Sequence, residues 1–167
     1  MWGTDLTTTF TGEGQASVFV AVDHFTAECV GIHARERATR FGALKPIRQG
    51  VHRHFGGSAK GIAHGLTVRH DHGSQYMSDH FQKEVAVLGI ENSPAFVRAP
   101  EGNGCAERFI RTLKENLLRH FETIEQPRQA LLAFRETFNA TWLIERHGFI
   151  SPTAFREEQL HSVAKVA

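Results

Sequence analysis

Three acidic residues, Asp5, Asp71 and Glu107, stand in three unlike local patterns, and they constrain the fold of this chain more than any other feature. Asp5 lies in an alternating run that is typical of a strand, Asp71 comes just after the apolar run of residues 66–68, and Glu107 opens a stretch with helical periodicity. Between Asp71 and Glu107 lie 35 residues. Acids this far apart meet only after folding, so a site that uses all three requires a strand, a strand end and a helix to converge.

Carboxylates grouped in this way suit divalent metal chemistry at phosphorus. Hard cations such as Mg²⁺ prefer carboxylate oxygens, and two cations about 3.5–4 Å apart can stabilise the attacking and the leaving oxygen of an in-line displacement. The same oxygens accept Mn²⁺. The pattern therefore indicates a metal site for phosphoryl transfer, although a chain with 18 acidic residues contains many Asp and Glu triples at arbitrary spacing.

The residues around the acids resemble a known family. Asp71 lies in RHDHGSQYMS, residues 69–78, and Glu107 lies in PEGNGCAERF, residues 100–109, with Lys114 seven residues later. These segments are similar to the catalytic core of bacterial insertion-sequence transposases of the insertion sequence three family, which are related to retroviral integrases. In that family a strand Asp, an Asp before a Gly-Ser-Gln-Tyr-like turn and a Glu at the same interval form the metal-binding triad, and a basic residue follows two helical turns later.

The resemblance extends over nearly the whole chain. Residues 16–32, which include VAVDHFT, look like the second and third strands of the family, and WLIERHGFISP, residues 142–152, resembles its closing segment. One departure is FNATW at residues 138–142, where many relatives carry Tyr-Asn-x-x-Arg-Pro-His.

The resemblance implies a ribonuclease-H-like α/β domain, with a mixed five-stranded sheet flanked by helices. It implies that Asp5, Asp71 and Glu107 are catalytic and bind two Mg²⁺ ions, and that DNA is contacted by Lys114, Arg111 and Asn103. The implied activity is that of a DNA transposase: water cleaves a phosphodiester at the end of a mobile element, and the freed 3′ hydroxyl attacks target DNA. The implied partners are transposon ends, target DNA, further copies of the chain in the active assembly, and an upstream helix-turn-helix protein or domain.

Local patterns divide the chain into predicted strands and helices. At 167 residues it fits one domain, with a core at about residues 1–121 and a helical extension at about 122–167. We predict strands at residues 4–10, 17–22, 28–34, 66–70 and 91–93, and helices at residues 38–55, 78–88, 105–120 and 126–139. Pro46 and Gly50 disfavour the first helix. Residues 93–104 are predicted to form a mobile loop beside the site.

The predicted helix that carries Glu107 has two distinct faces. Phe109, Ile110 and Leu113 recur with helical spacing, which leaves Glu107, Arg111 and Lys114 on another stripe. Lys114 is about 10 Å along the helix from Glu107 and can reach a phosphate of a bound strand. The alternative is a surface salt bridge between Glu107 and Arg111.

Charge and composition narrow the class of protein. The net charge of +1 is too small to indicate nucleic-acid binding from overall charge. Residues 35–60, however, contain seven cations and one acid. That stripe either neutralises phosphates or is a solvated helix face. Two cysteines without metal-ligand spacing, and the absence of a long apolar run or a signal segment, favour the reducing cytoplasm and no membrane.

Two further functions remain open. The chain can be a catalytically inert transposase fragment that acts as a binding or inhibitory module, or a hydrolytic ribonuclease-H-like nuclease that never joins strands. Met1 stands only four residues before Asp5, whereas resembling transposases carry upstream segments that recognise the element's ends. We therefore expect weak or no end-specific DNA binding by this polypeptide alone.

Overall fold

A mixed β-sheet forms the centre of the molecule in the computed structural model, which describes residues 1–95, 103–118 and 120–166. Five strands follow the order β3-β2-β1-β4-β5. Their bounds are β1 (Trp2–Thr11), β2 (Gly14–Asp23), β3 (Cys29–Arg35), β4 (Thr67–His70) and β5 (Glu91–Pro94). The prediction of a mixed five-stranded sheet is confirmed. Most of the predicted loop at 93–104 lies at residues 96–102, outside the described residues.

The first three strands form an antiparallel meander, and the last two join it in parallel. β1 pairs with β2 across a two-residue turn at Gly12 and Glu13, and Gly14, which begins β2, has a φ of 121° that favours glycine. β2 pairs with β3 in the same antiparallel sense, while β4 pairs with β1 and β5 with β4 in parallel. A two-residue strand, β6 (His120–Phe121), pairs with the far end of β1 and was not predicted.

Six helices surround the sheet among the described residues. They are α1 (Arg40–Phe55), α2 (Ser74–Met77), α3 (Asp79–Val87), α4 (Gly104–Asn116), α5 (Glu125–Thr141) and α6 (Pro152–Val166), and a 3-10 turn lies at Glu145–His147. The four predicted helices correspond to α1, α3, α4 and α5. The separate helices α2 and α6 were not predicted, and the division of the chain near residue 121 stays a prediction. No helix in the described ranges combines the length and the apolar character needed to cross a bilayer.

The sheet carries a hydrophobic layer on each face. On one face Phe19 and Val30 pack with Leu44 and Ile47 of α1 and with Phe81 of α3. On the other face the β2 and β3 side chains pack with α4 and α5, through Val20, Ile32, Phe109, Leu131 and Phe138. Helix α4, which carries Glu107, therefore lies against the opposite face of the sheet from α1.

Close backbone approach explains why α1 contains residues that disfavour a helix. A Cβ atom on Gly50 would lie 2.7 Å from the Trp2 ring, and one on Gly31 of β3 would lie 2.0 Å from the Pro46 carbonyl oxygen. Glycine at these two positions lets α1 pack directly on the sheet. Tight packing outweighs the low helix propensity that Pro46 and Gly50 give to the sequence.

The outer edge of β3 is capped by side chains from two helices. Gln49 of α1 accepts a hydrogen bond from Ile32 N at 2.8 Å, and Arg128 of α5 donates from Nε to the Ala34 carbonyl at 2.9 Å. Asn139 of α5 accepts from Cys29 N and donates to Cys29 O, at 2.8 and 3.0 Å. These contacts occupy backbone groups that an edge strand would otherwise offer to another strand.

Candidate metal and DNA site

Asp5 lies in the middle of the sheet, on the face that α4 covers. Because successive strand side chains point to opposite faces, Leu6 joins the α1 layer while Asp5 points the other way. The carboxylate is half-buried, and its Oδ1 accepts a hydrogen bond from Leu6 N at 2.7 Å. The strand therefore fixes one carboxylate oxygen of Asp5.

Asp71 follows β4 in a turn that requires glycine. Gly73 N donates to Asp71 Oδ1 at 2.8 Å, and a Cβ on Gly73 would lie 2.9 Å from that same oxygen. β4 is in register with β1, with Arg69 opposite Gly3. Two more residues in this register bring Asp71 level with Asp5 on neighbouring strands.

A series of hydrogen-bonded polar side chains, with His70 buried at its centre, supports the turn that carries Asp71. His70 is fully buried, with Nδ1 against the Asp71 carbonyl at 2.5 Å and Nε2 against Asn92 Oδ1 at 2.6 Å. Asn92 donates in turn to Gln82 Oε1, and Gln82 Nε2 donates to the Tyr76 carbonyl at 2.8 Å. Local sequence patterns do not indicate this chain of contacts, because polar residues at irregular intervals leave no periodic signal.

Glu107 projects from the exposed face of α4, as the periodicity predicted. Ala106, Phe109, Ile110 and Leu113 are buried, whereas Glu107, Arg111 and Lys114 are exposed. Glu107 lies in the first turn and Lys114 in the last, an order that complements the helix dipole. Among the described residues Glu107 forms no ion pair with Arg111, so the salt-bridge alternative finds no support.

Asn103 anchors the start of α4 to β1. Its side chain is buried, and Nδ2 donates to the Thr4 carbonyl at 3.1 Å, one residue before Asp5. Gly3 makes this approach possible, since a Cβ there would lie 2.4 Å from both Asn103 Oδ1 and His24 Nε2. Asn103 thus sets the position of the helix that carries Glu107, and its contact with DNA stays a prediction.

The three acids share one electrostatic neighbourhood. Burial raises the pKa of Asp5 from 3.8 to about 6, and the negative charges of Asp71 and Glu107 add to the rise. The Leu6 N–H and the charge of Lys114 act in the opposite direction on the pKa of Asp5. The charges of Asp71, Glu107 and Lys114 thus all act on the half-buried carboxyl group of Asp5.

The donor chemistry of this group fits a divalent cation. As the side chains stand, no three His, Cys, Asp or Glu residues in the described parts of the chain lie close enough to hold an ion. Ionised carboxylates repel one another, and a bound cation would offset that repulsion. Carboxylate oxygens are hard ligands of the kind that Mg²⁺ or Mn²⁺ prefers, and such an ion would bind the ionised form of Asp5.

Known proteins share sequence with this chain, although no protein-family profile matches it. It is 30% identical over 146 residues to the transposase for insertion sequence element IS904 of Lactococcus lactis subsp. lactis, a match that covers 84% of this chain and 54% of that protein. A segment of 48 residues is 38% identical to the putative transposase InsD for insertion element IS2E of Escherichia coli, covering 29% of this chain and 22% of that protein. The chain thus spans about half the length of the first relative and less of the second.

Solved structures share the fold. The catalytic core domain of BIV integrase superposes with a TM-score of 0.63 at 17% identity, over 98% of this chain and 97% of that one. The HTLV-2 integrase catalytic core domain in complex with magnesium superposes with a TM-score of 0.64 at 16% identity, over 92% and 93% of the two chains. The chain is thus similar in sequence to transposases of insertion sequences, and it shares the fold of integrase catalytic core domains.

Proposed function

We propose that Asp5, Asp71 and Glu107 bind two Mg²⁺ ions and that the chain then cleaves and joins phosphodiester bonds of DNA. The observation that supports this proposal is the position of Asp71 directly after β4, which pairs in parallel with the β1 strand that carries Asp5, in a chain that is 30% identical over 146 residues to an insertion-sequence transposase. Asp5 and Asp71 each have Oδ1 held by a backbone N–H. These hydrogen bonds orient the carboxylates before any ion binds.

The residues have separate roles in the proposed reaction. Bound Mg²⁺ ions would supply charge stabilisation for the attacking and leaving oxygens. Asp5 and Asp71 present their carboxylates from adjacent strands, and Glu107 completes the ligand set from α4. Lys114, about 10 Å further along α4, binds a phosphate of the same strand and orients it.

The bond changes require no covalent protein intermediate. In the first step a water oxygen attacks phosphorus at the end of the element, and the P–O3′ bond breaks to leave a 3′ hydroxyl. In the second step that hydroxyl attacks a target phosphodiester, whose own P–O3′ bond breaks. Each displacement forms one P–O bond and breaks one, so the second step needs no external energy source.

The partners follow from the same proposal. DNA is the substrate, as element ends and as target. The HTLV-2 integrase core is known in dimeric and trimeric forms, and we propose that several copies of this chain form the active assembly. Recognition of the element's ends is assigned to a helix-turn-helix protein or domain outside residues 1–167.

Matched acid variants test the proposal in one assay. The assay measures nicking of plasmid DNA, and joining of a labelled 3′-hydroxyl oligonucleotide to it, with Mg²⁺ or Mn²⁺. Asp71→Asn and Glu107→Gln should each lower both activities at least about 100-fold, because several kcal/mol of charge stabilisation are lost. Asp79→Asn and Glu115→Gln remove exposed acids from α3 and α4 and should leave both activities unchanged. Full activity of Asp71→Asn would refute the assignment.

The other two functions give different results in the same experiments. An inert fragment would show neither DNA activity nor heat of Mg²⁺ binding in a calorimetric titration. A hydrolytic nuclease would cut RNA–DNA hybrids and yield no joined product. Joined product that depends on Asp71 and Glu107 distinguishes the transposase from both.

A further inference from the structure

Two buried polar atoms lie close together above Gly3 of β1, and neither has a hydrogen-bond partner among the described residues. They are His24 Nε2, in the turn that follows β2, and Asn103 Oδ1, directly before α4. Each lies 2.4 Å from the position that a Cβ atom on Gly3 would take, so the two atoms are separated by at most twice that distance. Buried polar groups in proteins are almost always hydrogen-bonded, and an exception requires an explanation.

The orientation of the Asn103 amide follows from its other contact. Nδ2 donates to the Thr4 carbonyl at 3.1 Å, and because a carbonyl oxygen can only accept, the amide nitrogen must face Thr4. Oδ1 therefore faces His24, and this oxygen can also only accept. The group that satisfies it is a donor, and His24 Nε2 is a donor when it carries the ring proton.

The imidazole of His24 is neutral at neutral pH. Burial lowers the pKa of His24, and the positive charges of Arg69 and Arg146 add to the fall, while Asp23 acts in the opposite direction. A neutral imidazole carries one proton, on Nδ1 or on Nε2. The form with the proton on Nε2 is favoured, because it sets a donor beside Asn103 Oδ1, whereas the other form sets two acceptors beside each other.

The backbone of His24 is held by contacts with two distant segments of the chain. His24 N donates to the Met1 carbonyl at 2.9 Å, and Arg146 Nη2 donates to the His24 carbonyl at 2.8 Å. Within the turn itself, Asp23 Oδ1 accepts a hydrogen bond from Phe25 N at 2.9 Å. The imidazole of His24 therefore projects from a turn whose position is fixed.

The side chain of Asn103 links the start of α4 to β1. Asparagine is a favoured N-cap residue, yet Asn103 makes no side-chain cap hydrogen bond to α4, since its amide is turned toward β1. Glu107 lies in the first turn of this helix, and Asp5 follows Thr4 on the strand. The Asn103 amide thus connects the helix that carries Glu107 with the strand that carries Asp5.

We propose that His24 is a positioning residue, whose Nε2–H donates to Asn103 Oδ1 when Asp5 and Glu107 share a divalent cation. The inference rests on the proposed function, because it assigns a further residue to the same metal site. As the side chains stand, no three His, Cys, Asp or Glu residues in the described parts of the chain lie close enough to hold an ion. Glu107 therefore moves toward Asp5 as it becomes a ligand, and the start of α4 moves with it.

This movement brings the two unpaired atoms into hydrogen-bond contact. Asn103 then holds the Thr4 carbonyl on one side and His24 on the other, so its side chain can no longer rotate. The distance between Glu107 and Asp5 is fixed as a result. His24 itself touches neither the ion nor the DNA, and it acts through Asn103.

Calorimetric titration with Mg²⁺ measures this role. His24→Ala should weaken Mg²⁺ binding on the order of tenfold, which corresponds to about 1.4 kcal/mol, the size of one hydrogen bond. Asn103→Ala should weaken it at least as much. The double variant should bind no more weakly than Asn103→Ala alone, because His24 acts through Asn103. His24→Gln should restore most of the affinity, since its side-chain amide can also donate to Oδ1.

Urea unfolding distinguishes positioning from a purely structural role of His24. The proposed hydrogen bond is absent in EDTA, so the loss of stability in His24→Ala should be larger with Mg²⁺ than in EDTA. His147→Ala is the matched control, because His147 Nε2 contacts the Phe25 carbonyl of the same turn at 3.0 Å, and it should leave Mg²⁺ affinity unchanged. Equal losses of stability in the two buffers, or equal weakening of Mg²⁺ binding in His147→Ala, would overturn the proposal.

The same titration separates this inference from the proposed function. If His24→Ala binds Mg²⁺ as well as the unmodified chain while Asp71→Asn does not bind it, the metal site is supported and the role of His24 is wrong. If the unmodified chain binds no Mg²⁺, both the metal site and the role of His24 are wrong. Additive losses in His24→Ala and Asn103→Ala would show that the two residues act separately, which also contradicts the proposal.

Discussion

His70 and Asn92 form a hydrogen-bonded pair beneath the turn that carries Asp71, with 2.6 Å between Nε2 and Oδ1. The pair links β4 to β5, and Gln82 extends it to the backbone of α2. Inside a protein such a chain is costly when one member is missing, because each remaining polar group loses its partner. The position of Asp71 therefore depends on residues that make no contact with DNA in the proposed reaction.

Removal of the Asn92 side chain tests this support. Asn92→Ala leaves the buried His70 Nε2 and Gln82 Oε1 without their partner, and we expect a loss of about 1–3 kcal/mol in the free energy of unfolding. Asn116→Ala removes an exposed amide from α4 that donates to the Thr112 carbonyl, and should cost much less. Urea unfolding of the two variants compares them, and equal losses would show that the buried chain contributes nothing.

Replacement of glycine by alanine should have opposite effects on stability at Gly31 and at Gly104. In Gly31→Ala the new methyl group would lie 2.0 Å from the Pro46 carbonyl oxygen, so α1 must move away from β3. We expect a loss of about 1–3 kcal/mol, as for overpacked cores. Gly104 has open space around its Cβ position at the start of α4, so Gly104→Ala should be neutral or stabilise by up to about 1 kcal/mol. Thermal unfolding followed by circular dichroism measures both, and a stable Gly31→Ala variant would contradict the packing argument.

The sequence predicted the parts of the fold that leave a periodic or motif signal. The five strands and the stripe of Glu107, Arg111 and Lys114 follow from alternation and helical spacing. Helix α6 was missed because Leu160 and Val163 lie exposed and no apolar stripe runs along it. Local patterns do not show that Arg53 of α1 and Arg135 of α5 share Glu136, since this contact depends on tertiary packing.

The ion pairs of Glu28 indicate that the attachment of α6 to the core depends on pH. Its carboxylate is buried, with Arg156 of α6 at 3.7 Å and Arg53 of α1 at 3.8 Å. Burial raises the pKa of Glu28, while the two arginines oppose the rise. Nearby His54 has a pKa lowered to about 4, chiefly by burial, and adds no charge at neutral pH. The ionised form of Glu28 therefore depends on the arginines.

Arg156→Ala should destabilise the protein more at neutral than at acidic pH. A carboxyl group with a raised pKa in the folded state contributes stability at low pH that is lost as the pH rises. Loss of Arg156 raises the pKa of Glu28 further and so enlarges that loss, by about 1–3 kcal/mol at about pH 8 and less at about pH 4.5. Lys165→Ala, which removes an exposed cation from the same helix, should show no such pH dependence. Urea unfolding of both variants at the two pH values measures this difference.

Asp5→Asn should stabilise the metal-free protein above pH 6. The pKa of Asp5 is 3.8 unfolded and about 6 in the folded protein, so its contribution to stability is present below the lower value and is lost as the pH rises through the higher one. At neutral pH the ionised carboxylate disfavours the folded state by about 2–3 kcal/mol. Asparagine carries no charge and still accepts the hydrogen bond from Leu6 N. The free energy of unfolding in EDTA should therefore increase for Asp5→Asn at about pH 7.5, and change little at about pH 3.5.

Mg²⁺ should make the unmodified chain more stable than the Asp5→Asn variant, the reverse of their order in EDTA. An ion that binds only the folded state adds about 2.7 kcal/mol at a concentration 100 times its Kd, and in the unmodified chain it also offsets the repulsion among Asp5, Asp71 and Glu107. Asp5→Asn lacks one ligand and should gain little from Mg²⁺. Glu115→Gln, outside the site, should gain as much as the unmodified chain. Two results would contradict a cation site at Asp5, Asp71 and Glu107. One is a melting temperature of the unmodified chain that does not change with Mg²⁺. The other is an Asp5→Asn variant that is less stable than the unmodified chain in EDTA at neutral pH.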